Sequence, residues 1–479
     1  MNKTRWFFLA LFVLLLVARL CHSHVLWAEE TLPLAAAQQM RAGHVLYRDI
    51  WFDKPPFAPI VYTLIGGEAG WLLRTLGAFY AWLCCLLTYG FARDLWGRRE
   101  GLWAAGLMGF FLTFDFASSV IPLAADLLMV APHLAAVWLA WRGRALWAGA
   151  LAGVAFAISP KGLLVLAVCL FWSPTWMVPA GFFLVTAIVS AGLWTVGALL
   201  AYWDEVWRWG RLYAGSTFVE APLRNAVVRT LNWSGFHAAM VCAAPGGLSE
   251  VPTASARRLN PWLAWLAISL VGVAAGMRFF PRYYFQLLPV FVLLAARGMA
   301  EARSARRLLP LLLLIPLIRF APSYLQALRD TEWRDSAMDR DSRAAALLLN
   351  REAHSGDTLF VWGYRPEIYV YSHLPAATRF LDSQPLSGVP ADRHLTQSTP
   401  VETTESSARR AELASLRPTF VVDGLGPYNP RLALNAYPDL RSWMAEYREL
   451  VRTTGAVIYR RLPPVEPPQV GSRPAEPRH

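Results

Sequence analysis

Lysine is nearly missing from this 479-residue chain: Lys3, Lys54 and Lys161 are the only three in a Lys+Arg total of 45, which leaves 42 arginines. A compact ammonium and a planar, forked guanidinium do different work, so a lysine at a special place in so arginine-biased a chain is less readily incidental. Cysteine is sparse too. All five (Cys21, Cys84, Cys85, Cys169 and Cys242) fall in apolar stretches. That excludes a disulfide framework for whatever lies outside those stretches, and there is no Cys/His metal motif. The chain also lacks an internal repeat of the kind transporters often carry. No small-x-small site follows the first apolar run, and Arg19 and His22 crowd its end, so an uncleaved anchor is expected rather than a signal peptide.

What is present is apolar: 56% hydrophobic residues, 22 tryptophans and a positive mean hydropathy, against roughly 45–50% apolar residues in soluble domains. Runs long enough, or nearly so, to cross a hydrocarbon core of about 30 Å recur through two thirds of the chain. They lie near 5–22, 74–94, 102–120, 124–141, 145–159, 162–174, 176–202, 232–248, 261–277, 283–299 and 306–321. The expectation is about eleven crossings of a mainly α, polytopic membrane protein. The positive-inside rule puts Lys3 and Arg5 in the cytoplasm, together with Arg93, Arg98, Arg99, Arg142, Arg144, Arg257, Arg258, Arg303, Arg306 and Arg307. Everything after about residue 322 then falls outside. Much of the formal charge of +12 is boundary arginine, so nucleic acid is not implied.

Three domains of sequence follow: a membrane part over 1–321, an extracytoplasmic α/β domain over 322–462, and a Pro-rich, disordered tail over 463–479. An outer segment over about 23–73 should lie along the membrane as short helices interrupted by Pro55-Pro56. A second, over about 202–231, is rich in Trp and Arg and suits interfacial anchoring. In the outer domain DTLFVWG, PTFVVDG and AVIYRR read as strands and YPDLRSWMAEYREL as a helix. Tyr364, Arg365 and Glu367 look exposed there, with acceptor recognition as one reading and packing as the other.

An ionisable side chain at membrane depth costs about 2.5–3.5 kcal/mol on insertion scales, which makes such residues functional candidates. With this topology Glu29, Glu30, Asp49, Asp53, Lys54, Asp126, Lys161, Arg278 and Arg282 all fall at outer ends of spans or in outer loops, where one polar cavity would gather them. Two readings stand for Asp126: a site residue, or a helix N-terminal acid complementing the macrodipole. Asp115 is deeper and suits a structural role. Lys161 is either a site cation or one snorkelling at a helix end. GMRFFPRYYFQLLP places Arg278 and Arg282 beside Tyr283 and Tyr284, a cluster able to hold a phosphate head group with forked bonds and hydroxyls.

Four pieces of the sequence resemble the GT-C type membrane glycosyltransferases, and within them the bacterial relatives of protein O-mannosyltransferases (glycosyltransferase family 39) and of the aminoarabinose transferase that modifies lipid A. The first is AEETLPLAAAQQMRAGHVLYRDIWFDKPP, similar to the family's acidic pair followed by a Y-R-D-x-W-x-x-K-P-P element. The others are Asp126 early in the fourth span, Lys161 in AISPKGLLVL, and RFFPRYYFQLLP. FVWGYRPEIYVYSHLPAATRF is similar to a stretch in bacterial members. Glu29-Glu30 stands where the family has Asp-Glu, and Arg282 where it has histidine.

The resemblance implies the GT-C fold, a polyprenyl-phosphate-linked monosaccharide donor, and a glycan, lipid or protein acceptor on the outer face of the bacterial inner membrane. A carboxylate, with Glu30 first, Asp126 second and Glu29 and Asp49 nearby, would take or orient the proton of the acceptor hydroxyl as it attacks the anomeric carbon, with inversion. Lys54, Lys161, Arg278, Arg282 and Tyr283 would bind the lipid phosphate. A divalent cation, magnesium or manganese, held by Glu29, Glu30 and Asp126 is an option that the sequence does not require. The rival reading is a transporter or lipid flippase with an outward-facing charged cavity.

Overall fold

The computed structural model describes residues 3–114, 121–216, 221–248, 260–301, 304–329, 336–389 and 398–463. Asp115, Arg257, Arg258, Arg303 and the tail from 464 onward lie outside the described residues.

The first two thirds of the chain form a helical bundle. α1 (Lys3–Leu20) leads through a short outer link into α2 (Ala28–Arg41) and α3 (Phe57–Leu64), which lie before α4 (Trp71–Trp96). α5 (Arg98–Phe111), α6 (Ala125–Trp141), α7 (Ala145–Ile158), α8 (Gly162–Trp172) and α9 (Met177–Thr195) follow. The outer segment after α9 continues as α10 (Leu199–Tyr202), a π-helical turn over Trp203–Arg208, α11 (Trp209–Ser216) and α12 (Pro222–Phe236). The bundle closes with α13 (Ala238–Leu248), α14 (Pro261–Ala274), α15 (Leu288–Ala300) and α16 (Leu314–Leu328). Each of the eleven apolar stretches contains helix. The eighth is not one helix but two, broken at His237 between α12 and α13.

Four helical runs among the described residues are long and apolar enough to cross a membrane: α4, α9, Pro281–Ala300 and Leu308–Gln326. Shorter apolar helices such as α6, α7 and α8 pack between them. Small residues set the closest approaches, because lipid supplies no hydrophobic drive and helices gain most by touching. A Cβ on Gly149 would meet the Val178 carbonyl oxygen, and one on Gly181 that of Leu146, which locks α7 to α9. Gly247 and Gly298 do the same for α13 and α15.

The C-terminal part carries a four-stranded sheet of β1 (Leu359–Trp362), β2 (Phe420–Asp423), β3 (Tyr447–Arg452) and β4 (Val457–Arg461), in the order β1-β2-β4-β3. β1 and β2 are parallel, and β4 is antiparallel to both β2 and β3. Helices α17 (Ala337–Glu352), α18 (Glu367–Ser372), α19 (Gln384–Ser387) and α20 (Thr404–Ala414) surround it. The three expected strands are present. The expected helix over 437–450 is not: it gives way to short helical turns and then to β3, because Tyr447–Arg452 pairs with β4 and helix propensity is a weak prior against such pairing. Arg365 and Glu367 are buried rather than exposed: Arg365 binds Asp341 at 2.7 Å and the Gly455 carbonyl at 2.7 Å, and Glu367 accepts from Ser342 at 2.5 Å. They pack the domain.

Period-two alternation makes β1 a seam. Leu359 and Val361 join the apolar core shared with the helical bundle, whereas Phe360 and Trp362 join a second core that also takes in Trp51 and Trp209 from the outer segments. The two parts are thus interlocked. Leu26 N donates to Asp339 Oδ1 at 3.0 Å, Trp51 N to the Arg379 carbonyl at 2.8 Å, and Arg379 pairs with Glu205.

Candidate active site

The ends of several helices, on the side where the C-terminal domain sits, enclose a cavity of about 890 Å³. Its charged lining comes from five separate places: Glu29 on α2, Asp53 and Lys54 before α3, Asp126 in the first turn of α6, Lys161 at the start of α8, and Arg278 and Arg282 between α14 and α15. Tyr283 completes that side. Seven of the nine residues put forward from sequence therefore meet here: Glu29, Asp126, Lys54, Lys161, Arg278, Arg282 and Tyr283. Glu30 and Asp49 do not line the cavity.

The separation of Glu29 from Glu30 follows from helix geometry. Successive helical residues point about 100° apart, so in the first turn of α2 one carboxylate turns to the cavity and the other into the protein. Glu29 pairs with Arg282 at 3.4 Å, and its side chain is 41% exposed. Glu30 is fully buried. Its oxygens receive Arg74 Nη1 at 2.6 Å, Arg74 Nη2 at 2.9 Å and Leu123 N at 3.1 Å, and Oε2 faces Trp27 N at 3.4 Å. The expected proton acceptor is thus committed to a forked ion pair that ties α2 to α4 and to the lead-in of α6.

Asp49 also has a structural task. It closes a turn with Val45 N at 2.8 Å and pairs with Arg48 at 2.8 Å, and the Arg48 bonds hold its carboxyl down at about 2. The turn shapes the whole YRDIWFDKPP element. Tyr47 takes a left-handed φ of 68°, and its hydroxyl donates to the Lys54 carbonyl at 2.7 Å. Phe52 N donates to Glu205 Oε2 at 2.9 Å. Fixing a loop at both ends presents Asp53 and Lys54 to the cavity without further ordering.

Within the cavity, Asp126 lies in electrostatic range of Lys161, Arg282, Glu29 and Lys54. Lys161 Nζ sits 3.9 Å from the centre of the Tyr283 ring, a cation–π contact that places the ammonium. Arg278 rides on an unusual piece of backbone, with left-handed φ values of 76° at Gly276, 54° at Met277 and 49° at Phe279. Such non-glycine conformations persist only when neighbours over-determine them. Here Arg229, buried on α12, donates to the Arg278 carbonyl at 2.6 Å and to that of Phe279 at 3.3 Å.

The three carboxylates expected to hold a divalent cation, Glu29, Glu30 and Asp126, are not gathered in the cavity. Glu29 and Asp126 are the only two members of the expected ligand set in the cavity, each beside a basic side chain, and Glu30 is occupied by Arg74. Among the described residues no group of three or more His, Cys, Asp or Glu is placed to hold a metal.

Sequence reasoning missed Arg74, Arg229 and Glu205. For Arg74 a signal existed: under the expected topology it stands at the end of a span opposite to the one where the positive-inside bias gathers arginines. Glu205 sat in a segment ascribed to interfacial anchoring, yet it is buried, holds Phe52 N and Arg379, and burial pushes its carboxyl up to about 8.

No family model matches the sequence, and a search of curated proteins gives no match. Solved structures do match in fold. ArnT from Cupriavidus metallidurans bound to undecaprenyl phosphate aligns with a TM-score of 0.58 at 14% identity, covering 98% of this chain and 99% of that one. The apo state of ArnT aligns with a TM-score of 0.55 at 13% identity, covering 96% and 98%. At such identity the likeness speaks to architecture: the chain has the GT-C fold of a polytopic membrane protein, closed by a small C-terminal sheet.

Proposed function

We propose that the protein is a membrane glycosyltransferase that moves a monosaccharide from a polyprenyl-phosphate donor to a hydroxyl of an acceptor. The observation that carries this reading is the cavity: four cations and three carboxylates converge at one end of the GT-C helices, in a fold whose ArnT example was solved with undecaprenyl phosphate. Lys54, Lys161, Arg278 and Arg282 neutralise the lipid phosphate, and their role grows as the bond to the sugar breaks and charge collects on the departing oxygen. Tyr283 seats Lys161.

The acceptor oxygen attacks the anomeric carbon, the bond from that carbon to the phosphate oxygen breaks, and polyprenyl phosphate leaves with the electron pair. The acceptor's proton passes to Glu29. It is preferred over Asp126 because it is the more exposed of the two and can meet a hydroxyl arriving from outside. Asp126, deeper in the cavity and beside Lys161, orients the donor's charged end. Attack from the face opposite the phosphate inverts the anomeric centre. Arginine-rich loops at the other ends of the helices support placing residues 1–321 in the bacterial inner membrane and 322–462 outside it.

The test uses the purified chain in detergent with undecaprenyl phosphate carrying a labelled sugar. Acceptor-dependent release of undecaprenyl phosphate is expected, and Glu29→Gln and Lys54→Ala should suppress it. Normal turnover by either folded variant overturns the assignment of that residue. Passage of intact donor across vesicles without cleavage supports the flippase reading instead.

A further inference from the structure

The cations account for one stretch of the cavity wall. Beside Lys54 begins another, built from Asp53, Trp209 and Gln384. These three come from the outer segment before α3, from α11, and from the C-terminal domain. Gln384 is held in place by Asp382, which accepts from the Gln384 backbone N at 2.8 Å and from Nε2 at 3.1 Å. Trp209 packs edge-on against Trp51 with ring centres 5.6 Å apart, and the Arg409 guanidinium lies over it at 5.4 Å. The loop carrying Asp53 is pinned by Glu205 and by the Arg379 carbonyl. The patch is therefore rigid before any ligand arrives.

It is also incomplete in its hydrogen bonds. Asp53 Oδ1 and Trp209 Nε1 are enclosed, and neither has a hydrogen-bond partner among the described residues. Buried polar atoms are satisfied as a rule, and exceptions in a cavity mark where a ligand supplies the missing group. The chemistry along this wall is a carboxylate acceptor, an indole donor, an amide whose nitrogen also donates to Asp382, and an aromatic face. A neutral ring bearing several hydroxyls suits all four, whereas a lipid tail makes no hydrogen bond and a bare phosphate meets the like charge of Asp53.

We propose that Asp53, Trp209 and Gln384 bind the hydroxyls of the donor's sugar, so that the C-terminal domain takes part, through Gln384, in choosing which sugar is transferred. The proposal rests on the glycosyltransferase reading of the same cavity. It gives the wall a division of labour: the basic residues hold what every polyprenyl-phosphate donor shares, and this patch reads what differs among them. Sites built to hydrogen-bond a hydroxyl reject ligands lacking it far more strongly than apolar pockets discriminate by size.

The experiment compares dissociation constants of the full-length chain for bare undecaprenyl phosphate and for undecaprenyl phosphate carrying glucose, galactose, mannose or arabinose. At least one glycosylated lipid should bind tenfold or more tightly than the bare lipid. Gln384→Ala and Trp209→Leu should abolish that increment and leave the affinity for the bare lipid within twofold, which also shows that the variants are folded. Gln384→Asn should restore part of it. Lys54→Ala should weaken all five ligands alike. Equal affinity of the unaltered chain for the bare and all glycosylated lipids overturns the sugar patch while the lipid-phosphate reading stands, as does an increment that survives both patch substitutions. Failure of the unaltered chain to bind bare undecaprenyl phosphate overturns the lipid-phosphate reading and the patch with it.

Discussion

Two groups of charged residues sit at the end of the bundle that meets the C-terminal domain, and they begin at adjacent positions. One starts at Glu29 and lines an open cavity with Asp126, Lys161 and Arg282. The other starts at Glu30 and is sealed: Arg74, Leu123 N and Trp27 N surround its carboxylate, and Arg74 also donates to the Val25 carbonyl. Both look alike in sequence, as charges at membrane depth. The difference is satisfaction. A buried carboxylate whose oxygens are taken up by Arg74 and two backbone N–H groups has no capacity left for a ligand, whereas charges facing a cavity have some. A charge near the membrane marks a site only if its partners leave it something to do.

Substitutions can break or sharpen that contrast. The largest effect is expected at Glu29: Glu29→Gln should lower transfer by about 10²–10⁴-fold, the usual worth of a positioned proton acceptor. It should change stability by no more than about 1 kcal/mol, because a half-exposed pair contributes little. Steady-state release of undecaprenyl phosphate, read beside thermal unfolding, checks both halves. At Glu30 the pattern should reverse. Glu30→Ala strands the buried Arg74 and should cost about 3–5 kcal/mol. The Glu30→Ala/Arg74→Leu double variant should recover much of that loss, because the stranded charge goes with it. A Glu30→Ala protein that unfolds normally but is inactive would erase the distinction.

A smaller effect is expected at Arg229, which belongs to neither group but holds the strained backbone beneath Arg278. Arg229→Leu leaves two carbonyls without their donor and should cost about 1–3 kcal/mol, with KM for the donor rising more than kcat falls. The smallest effect concerns pH. Burial, and next the charge of Asp53, push the Asp382 carboxyl up to about 7, while an unfolded aspartate titrates near pH 4. Between those values the folded chain binds the extra proton, so this group's contribution to stability falls as pH rises from about 4 to about 7. Asp382→Asn should flatten the melting temperature against pH across that window and raise it at pH 8. An unchanged slope would show that Asp382 does not set it.

Much of the membrane architecture was legible because its cause is compositional. A stretch such as 177–195 is apolar along its whole length, and no other structure satisfies its backbone in lipid. The break at His237 and the conversion of Tyr447–Arg452 to a strand were not legible. Neither follows from composition: the ring of Trp233, one helical turn earlier, stacks on His237 at 4.5 Å, and β4, which follows β3 directly and is itself paired with the distant β2, supplies the ladder for β3. The convergence of Lys54, Lys161, Arg278 and Arg282 could be expected from sequence, since the expected topology puts each on the same side of the bundle. Trp209 and Gln384 could not, because nothing local sets either residue apart from interfacial anchoring or domain packing.

The sequence by itself determined which segments form apolar helices and which residue types gather near their ends, because hydropathy and charge bias act through local composition. Tertiary structure decided what each charged residue does. One step along α2, about 100° of rotation, sends Glu29 to the cavity and Glu30 to Arg74, and only the position of α4 makes that step matter. In the same way only the docking of the C-terminal domain brings Gln384 to a wall that begins at Asp53.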